Sequence, residues 1–196
     1  IIRMSWERIQ VPPPLLQSSR QGAVTAITKL EDGRMVLILD VEKVLAELHP
    51  RSEEEILVGI EMVKELVGKR VLVADDSIVA RKQIIKTLER LGMKYEETQT
   101  GKEALTRLRQ YADLGDKTER TIFDFVVGVI TDIEMPEMDG FSLTKHIRED
   151  VRLQGLPVLM HSSLSGQCNV DKGKSLGVTD YVSKFHPREL RDKLVQ

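Results

Sequence analysis

Cysteine is almost absent from this chain of 196 residues, and its single occurrence, Cys168, excludes an internal disulfide bond. A chain without disulfides fits a reducing compartment, so we expect a cytoplasmic protein. Long apolar runs are missing as well, because FVVGVI and MVLIL are far too short to span a bilayer. The formal net charge is −2, so there is no excess of positive charge that would favour binding to nucleic acid.

A signal peptide is also missing, because the first residues, IIRMSWERIQ, carry scattered charges instead of an apolar core. The chain starts at Ile1 rather than at a methionine, and we therefore expect it to begin inside a longer protein. Hydrophobic residues make up 41% of the chain and charged residues 31%, which is enough to bury a core and remain soluble. The length fits one large domain or two small ones.

The first fifty residues contain the pattern of a β-hairpin. Two β-like runs, GAVTAITKL and RMVLILD, flank Glu31, Asp32 and Gly33, where the glycine can supply the positive φ that the turn needs. The segment VEKVLAEL then has the apolar spacing of a short helix. The prolines of VPPPLLQSS exclude that run from a helix interior or a central strand.

The next residues have the pattern of a linker helix. Pro50 stops the preceding element, and Ser52 and Glu55 stand at capping-box spacing ahead of a periodic apolar series. Gly68 follows as a stop signal. The series predicts an amphipathic helix over residues 53–66. Its apolar members are Ile56, Ile60, Val63 and Val67.

From Lys69 onward, short apolar runs alternate with amphipathic segments. The strand-like runs are RVLVADD, KYEETQ, FVVGVITD, LPVLMHSS and DYVSK. The helix-like segments are SIVARKQIIKTLERLG, GKEALTRLRQYA, GFSLTKHIRED, CNVDKGKSLG and PRELRDKLV. A long polar connection, residues 113–124, precedes the third strand and is expected to be a surface insertion. The alternation predicts an α/β fold, with a five-stranded parallel sheet and helices on both faces.

Polar side chains stand where these strands end. Asp75 and Asp76 end the first strand, Asp132 the third, Ser162 the fourth and Lys184 the fifth. The carboxyl ends of parallel strands meet at one edge, which is where α/β sheets bind ligands. Adjacent carboxylates repel each other unless a cation lies between them, and such a ligand set suits Mg²⁺. The lysine and the serine can offer a charge and a hydrogen bond to phosphoryl oxygens.

Four pieces of this sequence resemble the receiver domain of two-component signalling proteins and occur in the same order: VLVADDS, ITDIEMPEMDG, VLMHSS and YVSK. The resemblance covers residues 70–196 and implies a five-stranded flavodoxin-like fold. It implies that Asp132 accepts a phosphoryl group from a kinase phosphohistidine, and that Lys184 pairs with that group. Ser162 and Tyr181 would form the switch pair that reads phosphorylation out.

The same resemblance implies a Mg²⁺ site. Asp76 and Asp132 would bind the ion directly, Asp75 through water, and Glu134 through its backbone carbonyl. The resemblance also implies a phosphoacceptor signalling protein rather than an enzyme, in which the receiver assists its own phosphorylation and dephosphorylation.

The N-terminal part resembles a second family. VTAITKLEDGRMVLILDVEKVL is similar to the C-terminal end of a CheW-like coupling domain, a β-barrel adaptor that links chemoreceptors to the histidine kinase CheA. A CheW-like domain followed by a receiver is the arrangement of the CheV chemotaxis coupling proteins. The resemblance implies a partial CheW-like domain at 1–50, a linker helix at 51–69 and a receiver at 70–196. It implies phosphorylation-regulated coupling with CheA and chemoreceptors as partners, without nucleic acid and without insertion into the membrane.

One position departs from the pattern of many receivers. They carry proline directly after the lysine, whereas this chain has Phe185, with Pro187 two positions further on. That difference argues against a cis peptide bond directly after Lys184.

Other interpretations of the acidic residues remain open. They could be turn or capping residues, as Asp139 before Gly140 is expected to be. An aspartate-nucleophile phosphatase uses a similar residue set, although there the nucleophile ends the first strand and the acidic pair comes late. A DNA-binding response regulator would need an output domain after residue 196. The four histidines are scattered and do not suggest a metal cluster: His49, His146, His161 and His186.

Overall fold

The computed structural model describes residues 9–10, 12–13, 24–30, 32–39, 44, 57–162 and 167–196. The chain divides into two compact units, Ile1–Arg51 and Ser52–Gln196. Among the described helices, none combines the length and the apolar character that a membrane crossing needs.

The first unit contains a three-stranded antiparallel sheet in the order β1-β2-β3. Its strands are β1 (Ile9–Gln10), β2 (Val24–Lys29) and β3 (Met35–Leu39). The predicted hairpin is present, and Gly33 takes φ +86° in the turn between β2 and β3. Asp32 closes this turn, because its carboxylate accepts hydrogen bonds from the backbone N–H and the Nε of Arg34. The predicted helix over VEKVLAEL lies outside the described residues, except for Val44, which is helical.

The predicted linker helix is wrong where the structure describes it. Residues 53–56 lie outside the described part of the chain, and residues 57–63 form turns and irregular structure. Only Lys64–Leu66 are helical, as a short 3₁₀ turn. Gly59 takes φ +78°, a left-handed conformation that interrupts a right-handed helix.

Tertiary contacts set the path of residues 57–68, which we call the docked segment. Leu57, Ile60 and Leu66 are buried in a core cluster of the second unit. Hydrogen bonds hold the rest of the segment: Val63 N–H to Leu91 O, Gly68 N–H to Gly92 O, Arg188 Nε to Val58 O and Arg191 Nη1 to Gly59 O. Apolar burial of this extent outweighs a helix propensity of a few tenths of a kcal/mol per residue.

The second unit contains a five-stranded parallel sheet in the order β5-β4-β6-β7-β8. The strands are β4 (Arg70–Ala74), β5 (Lys94–Thr98), β6 (Gly128–Thr131), β7 (Val158–Ser162) and β8 (Asp180–Ser183). The helices are α1 (Ile78–Arg90), α2 (Gly101–Thr118), α3 (Gly140–Glu149), α4 (Gln167–Leu176) and α5 (Pro187–Val195). The predicted five-stranded, flavodoxin-like α/β fold is confirmed.

Both faces of this sheet are covered, which explains why its inner strands are apolar at nearly every position. Every residue of β6 is buried. In β4, Leu72 joins one core cluster and Val73 joins the other, as the two-residue period of a strand requires. Because the strand interiors are committed to the two cores, functional polar side chains can be displayed at the strand ends.

The polar connection at 113–124 is largely helical rather than an inserted loop. Helix α2 continues to Thr118, beyond the predicted end at residue 112, and ends at Glu119 with φ +54°. Arg152 holds the extension, because its Nη1 lies 2.8 Å from Asp113 Oδ1 and 2.9 Å from Asp116 Oδ2. A 3₁₀ turn, Ile122–Asp124, then leads towards β6. The polar composition reflects an exposed helix face.

Candidate functional site

Three of the predicted site residues meet at the carboxyl end of the parallel sheet. Lys184 Nζ lies 2.9 Å from Asp132 Oδ2 and 3.4 Å from Asp75 Oδ2. Asp76 joins them, since one carboxylate oxygen from each of Asp75, Asp76 and Asp132 lies within 4.8 Å of the others. The lysine and two of the carboxylates are buried, while Asp76 is exposed. The arrangement is a recessed acidic cluster with one exposed carboxylate and one buried cation.

The local geometry after β4 fixes Asp75. Its backbone N–H continues the sheet by donating to Thr98 O, and its Oδ1 accepts a hydrogen bond from Ser77 N–H at 2.9 Å. Its carbonyl oxygen accepts a hydrogen bond from Arg81 Nη1 at 2.6 Å. Its Oδ2 is buried without a hydrogen bond among the described residues and faces Lys184 and, at 3.6 Å, His161 Nδ1.

The local geometry after β6 fixes Asp132 in the same way. Its backbone N–H donates to Ala74 O at 2.8 Å, and its Oδ1 accepts a hydrogen bond from Ile133 N–H at 2.7 Å. Helix α3 begins very close by, at Gly140. A Cβ at Gly140 would lie 3.1 Å from the carbonyl carbon of Asp132 and would overlap its oxygen. A side chain at position 140 would therefore push the start of α3 away from the site.

The buried position of Asp132 changes its protonation. Burial raises its pKa from 3.8 to about 7, the positive charge of Lys184 opposes the rise, and the negative charge of Asp75 adds to it. The carboxylate is therefore held at a position where its charge is only partly compensated.

Two other predicted residues lie in the loops around the cluster. Glu134 is exposed in the loop after β6. Asp139 is the N-cap of α3, because its Oδ1 accepts a hydrogen bond from Ser142 N–H at 2.6 Å. The capping role expected for Asp139 is confirmed. The peptide bond after Lys184 is not cis, because the described residues contain no cis peptide bond. Phe185, the next residue, has φ +64°.

The predicted switch pair lies on one face of the sheet. In the register of β7 and β8, Met160 pairs with Tyr181 and Ser162 pairs with Ser183. Side chains at alternate strand positions share a face, so Ser162 and Tyr181 project to the same side, on neighbouring strands and two positions apart. Ser162 is buried and Tyr181 is half-buried.

Two residues near the acidic cluster were missed by reading the sequence. Arg81 is buried, and it binds Glu97 through Nε in addition to the Asp75 carbonyl. Its spacing of i, i+3 and i+7 with Ile84 and Leu88 could have placed it on the inner face of α1. His161 is buried within the apolar strand β7. Its position in that strand predicts burial, but its approach to Asp75 follows only from the pairing of distant strands.

Comparison with known proteins finds two families along this chain. The response regulator receiver domain family matches residues 71–195, and the CheW-like domain family matches residues 1–49. The chain is similar to chemotaxis protein CheV1 of Helicobacter pylori, at 29% identity over 192 residues, covering 97% of this chain and 57% of CheV1. It is also similar to chemotaxis protein CheY1 of Helicobacter pylori, at 36% identity over 129 residues, covering 64% of this chain and 93% of CheY1.

Among solved structures, the chain resembles the receiver domain of the histidine kinase CKI1 from Arabidopsis thaliana complexed with Mg²⁺ and BeF₃⁻. The TM-score is 0.58 at 26% identity, covering 68% of this chain and 94% of that domain. The expected order of a CheW-like segment before a receiver is confirmed. The chain spans 57–61% of the length of the three CheV proteins of Helicobacter pylori that it matches. Because the receiver match covers more than half of its residues, the chain belongs to the response regulator receiver family.

Proposed function

We propose that this chain is a phosphorylation-regulated chemotaxis coupling protein of the cytoplasm, in which Asp132 accepts a phosphoryl group from the phosphohistidine of CheA. The observation that carries the proposal is Asp132 at the end of β6, paired with Lys184 at 2.9 Å and next to Asp75 and Asp76. The similarity to CheV1 over both segments supports the coupling role, with chemoreceptors as the second partner. Residues 1–50 would belong to the coupling domain and residues 70–196 to the receiver.

The transfer step follows from the position of the Asp132 carboxylate. An oxygen lone pair of Asp132 attacks the phosphorus atom, the P–N bond of the phosphohistidine breaks, and its electron pair returns to the imidazole nitrogen. The product is an aspartyl phosphate. Lys184 then exchanges its contact with Asp132 for one with a phosphoryl oxygen, and the Ser162 hydroxyl donates a hydrogen bond to another. The attacking oxygen must be ionised, and the charge of Lys184 favours that form.

The donor set fits a Mg²⁺ ion. Oxygen ligands from a few carboxylates suit this ion, and the buried Oδ2 of Asp75, which makes no hydrogen bond among the described residues, faces the same space. Asp76 and Asp132 would hold the ion directly, Asp75 through water and Glu134 through its backbone carbonyl. When bound, the ion supplies positive charge for the carboxylates and the phosphoryl oxygens.

Two further roles belong to the same proposal. The receiver would assist its own phosphorylation and dephosphorylation, since Lys184, which lies 2.9 Å from Asp132, could stabilise charge on the phosphoryl oxygens. Ser162 and Tyr181 would form the switch, because they share a face of the sheet beside the acidic cluster. A phosphoryl group that draws in the Ser162 hydroxyl would thereby change the space next to the tyrosine.

The test is uptake of a phosphoryl group from acetyl phosphate, followed by intact-mass spectrometry. We expect one phosphoryl group per chain, only with Mg²⁺, and no uptake by Asp132→Asn. The matched control is Asp139→Asn, because asparagine is as good an N-cap as aspartate and this variant should behave as wild type.

Uptake by folded Asp132→Asn at the wild-type rate would overturn the assignment of the acceptor. Steady turnover of p-nitrophenyl phosphate by the wild type would instead indicate a phosphatase. Transfer from phosphorylated CheA, measured as loss of label from the kinase, tests the proposed donor separately from the acceptor.

A further inference from the structure

Helix α4 carries a glycine, Gly173, at a buried position in its interior. Glycine is disfavoured there, since it costs more backbone entropy than alanine and contributes no side chain to packing. The structure shows what its missing side chain permits. A Cβ at Gly173 would lie 2.8 Å from Cζ of Tyr181 and 3.1 Å from Cγ2 of Val178, and it would overlap the tyrosine hydroxyl. The ring of Tyr181 therefore occupies space that any other residue at position 173 would fill.

The ring of Tyr181 also packs against buried side chains. Tyr181 packs against a buried cluster of the second unit. The buried members of that cluster are Ile133, Phe141, Met160 and Val178. Burial raises the pKa of Tyr181, and a backbone hydrogen bond with Gly173 opposes part of that rise. The hydroxyl thus reaches the backbone of α4 at the one point where that helix has no side chain in its way.

The place of the ring is also tied to the acidic cluster through the sheet. Tyr181 pairs with Met160 in the register of β7 and β8, and Ser162 follows on the same face. Lys184, three residues after the tyrosine, reaches Asp132 and Asp75. The strand that positions the ring is therefore the strand that delivers the buried cation.

We propose that Gly173 is a positioning residue for Tyr181: the absence of a side chain at 173 keeps open the half-buried place of the ring. A methyl group at this position drives the ring out towards solvent. The inference rests on the proposed function in one respect, because the ring reports on phosphorylation only if Asp132 is the acceptor.

A plainer role for Gly173 must be separated from this one. The Val178 N–H donates a hydrogen bond to Gly173 O at 2.9 Å, and the Val178 side chain is also close. The glycine could therefore serve only to let α4 approach the residues before β8. In that case a methyl group would disturb stability without changing the environment of the tyrosine ring.

The experiment uses the whole chain labelled with 3-fluorotyrosine and observed by ¹⁹F NMR. The chain has three tyrosines, so three resonances are expected, and the Tyr181→Phe variant identifies the one from Tyr181. In Gly173→Ala we expect the chemical shift of the Tyr181 resonance to move towards that of a solvent-exposed fluorotyrosine. The difference in this chemical shift between H₂O and D₂O should also become larger. The resonances of Tyr95 and Tyr111 should stay in place. The control is Ser175→Ala, which also introduces alanine into α4 but at an exposed position, and it should leave all three resonances unchanged.

An unchanged Tyr181 resonance in folded Gly173→Ala would overturn the proposal. If Gly173→Ala is too unstable to observe, the double variant Gly173→Ala/Tyr181→Ala decides. With the ring removed, the added methyl should no longer lower the urea midpoint relative to Tyr181→Ala alone. A double variant whose urea midpoint lies below that of Tyr181→Ala alone would assign the glycine to the approach of Val178 and overturn the proposal.

Beryllium fluoride with Mg²⁺, a mimic of the phosphoryl group, separates this inference from the proposed function. We expect it to move the Tyr181 resonance in the wild type, but not in Asp132→Asn or Gly173→Ala. A wild-type resonance that ignores the mimic, together with a displaced ring in Gly173→Ala, would refute the switch and leave the positioning role standing. A responsive wild type with an unmoved ring in Gly173→Ala would refute the positioning role alone.

Discussion

The two sheets of this chain differ in what surrounds similar apolar strands. In β3 the exposed residues Met35, Leu37 and Leu39 retain 62%, 44% and 50% of their accessible surface. In β6, by contrast, every residue is buried. The first sheet is a three-stranded antiparallel one, and such a sheet commonly leaves one face uncovered. The second is packed by helices on both faces. An apolar run therefore predicts a strand, whereas the layers around it decide how much stability its side chains contribute.

The largest expected effect comes from removing the same side chain from each sheet. Leu72→Ala in β4 should lower the free energy of unfolding of the second unit by about 3–4 kcal/mol, because a fully buried leucine leaves a cavity. Leu37→Ala in β3 should cost less than about 1 kcal/mol, because its side chain is half exposed.

Urea melts should measure these losses of stability, and amide hydrogen exchange resolved by peptide should assign each loss to its own unit. Equal losses in the two sheets would mean that β3 is covered in solution, and the contrast between the sheets would fail.

The next effect compares two aspartates whose pKa values move in opposite directions. Asp132 has its pKa raised from 3.8 to about 7, so its contribution to stability is complete below the unfolded pKa and is lost as the pH rises through about 7. Asp132→Asn should therefore stabilise the Mg²⁺-free protein, by about 1–2 kcal/mol at pH 8, and by less at pH 5. Mg²⁺ should stabilise the wild type and do less for the variant.

Asp32 in the hairpin is the matched control. The hydrogen bond with the Arg34 side chain, and to a smaller extent the one with the Arg34 backbone, lower the pKa of Asp32. Its contribution to folding stability is therefore present above the unfolded pKa and is lost only in acid. Asp32→Asn should accordingly show no trend between pH 5 and pH 8. Thermal melts of both variants in EDTA, across that range, measure the difference. A destabilised Asp132→Asn at pH 8 would mean that the acidic cluster is structural.

The smallest effect is expected from substitutions at two residues with left-handed backbone conformation, one in each unit. Gly33 has φ +86° with open space around it, so Gly33→Ala should cost about 1 kcal/mol through backbone conformation alone. Glu119 ends α2 with φ +54°, and Glu119→Gly should stabilise by less than about 1 kcal/mol. Urea midpoints measure both changes, with Glu119→Ala as the control that should bring no gain. A stabilising Gly33→Ala would show that the hairpin turn has another conformation in solution.

Much of the second unit could be predicted from its sequence, because a parallel sheet needs little more than the order of its elements. Once strands and helices alternate, the strand ends must meet at one edge, and this alone brings Asp75, Asp132 and Lys184 together. The hairpin was predictable for a different reason. Its turn is local, and Asp32 and Gly33 determine it within a few residues.

The features that escaped prediction depend on contacts between distant residues. The docked segment has the apolar period of a helix and follows a capping-box spacing, yet Leu57 and Ile60 are buried in a cluster that also contains residues of α1 and α5, which sequence spacing does not reveal. The approach of His161 to Asp75 depends likewise on which strands neighbour each other. The extension of α2 is held by Arg152, more than thirty residues away along the chain. Local patterns give the elements, but such partners appear only once the elements are assembled.

The docked segment has a consequence for where the second unit can be cut. A fragment that starts at Arg70 keeps all five strands but loses Leu57, Ile60 and Leu66, three buried members of its core. Leu88 of α1, Leu91 at its C-cap and Leu190 of α5 belong to the same buried cluster, and we expect this cluster to gain exposed apolar surface in such a fragment. Newly exposed apolar surface promotes self-association and precipitation. The solubility boundary of this unit therefore lies near residue 57, ahead of the position at which the resemblance to other receivers begins.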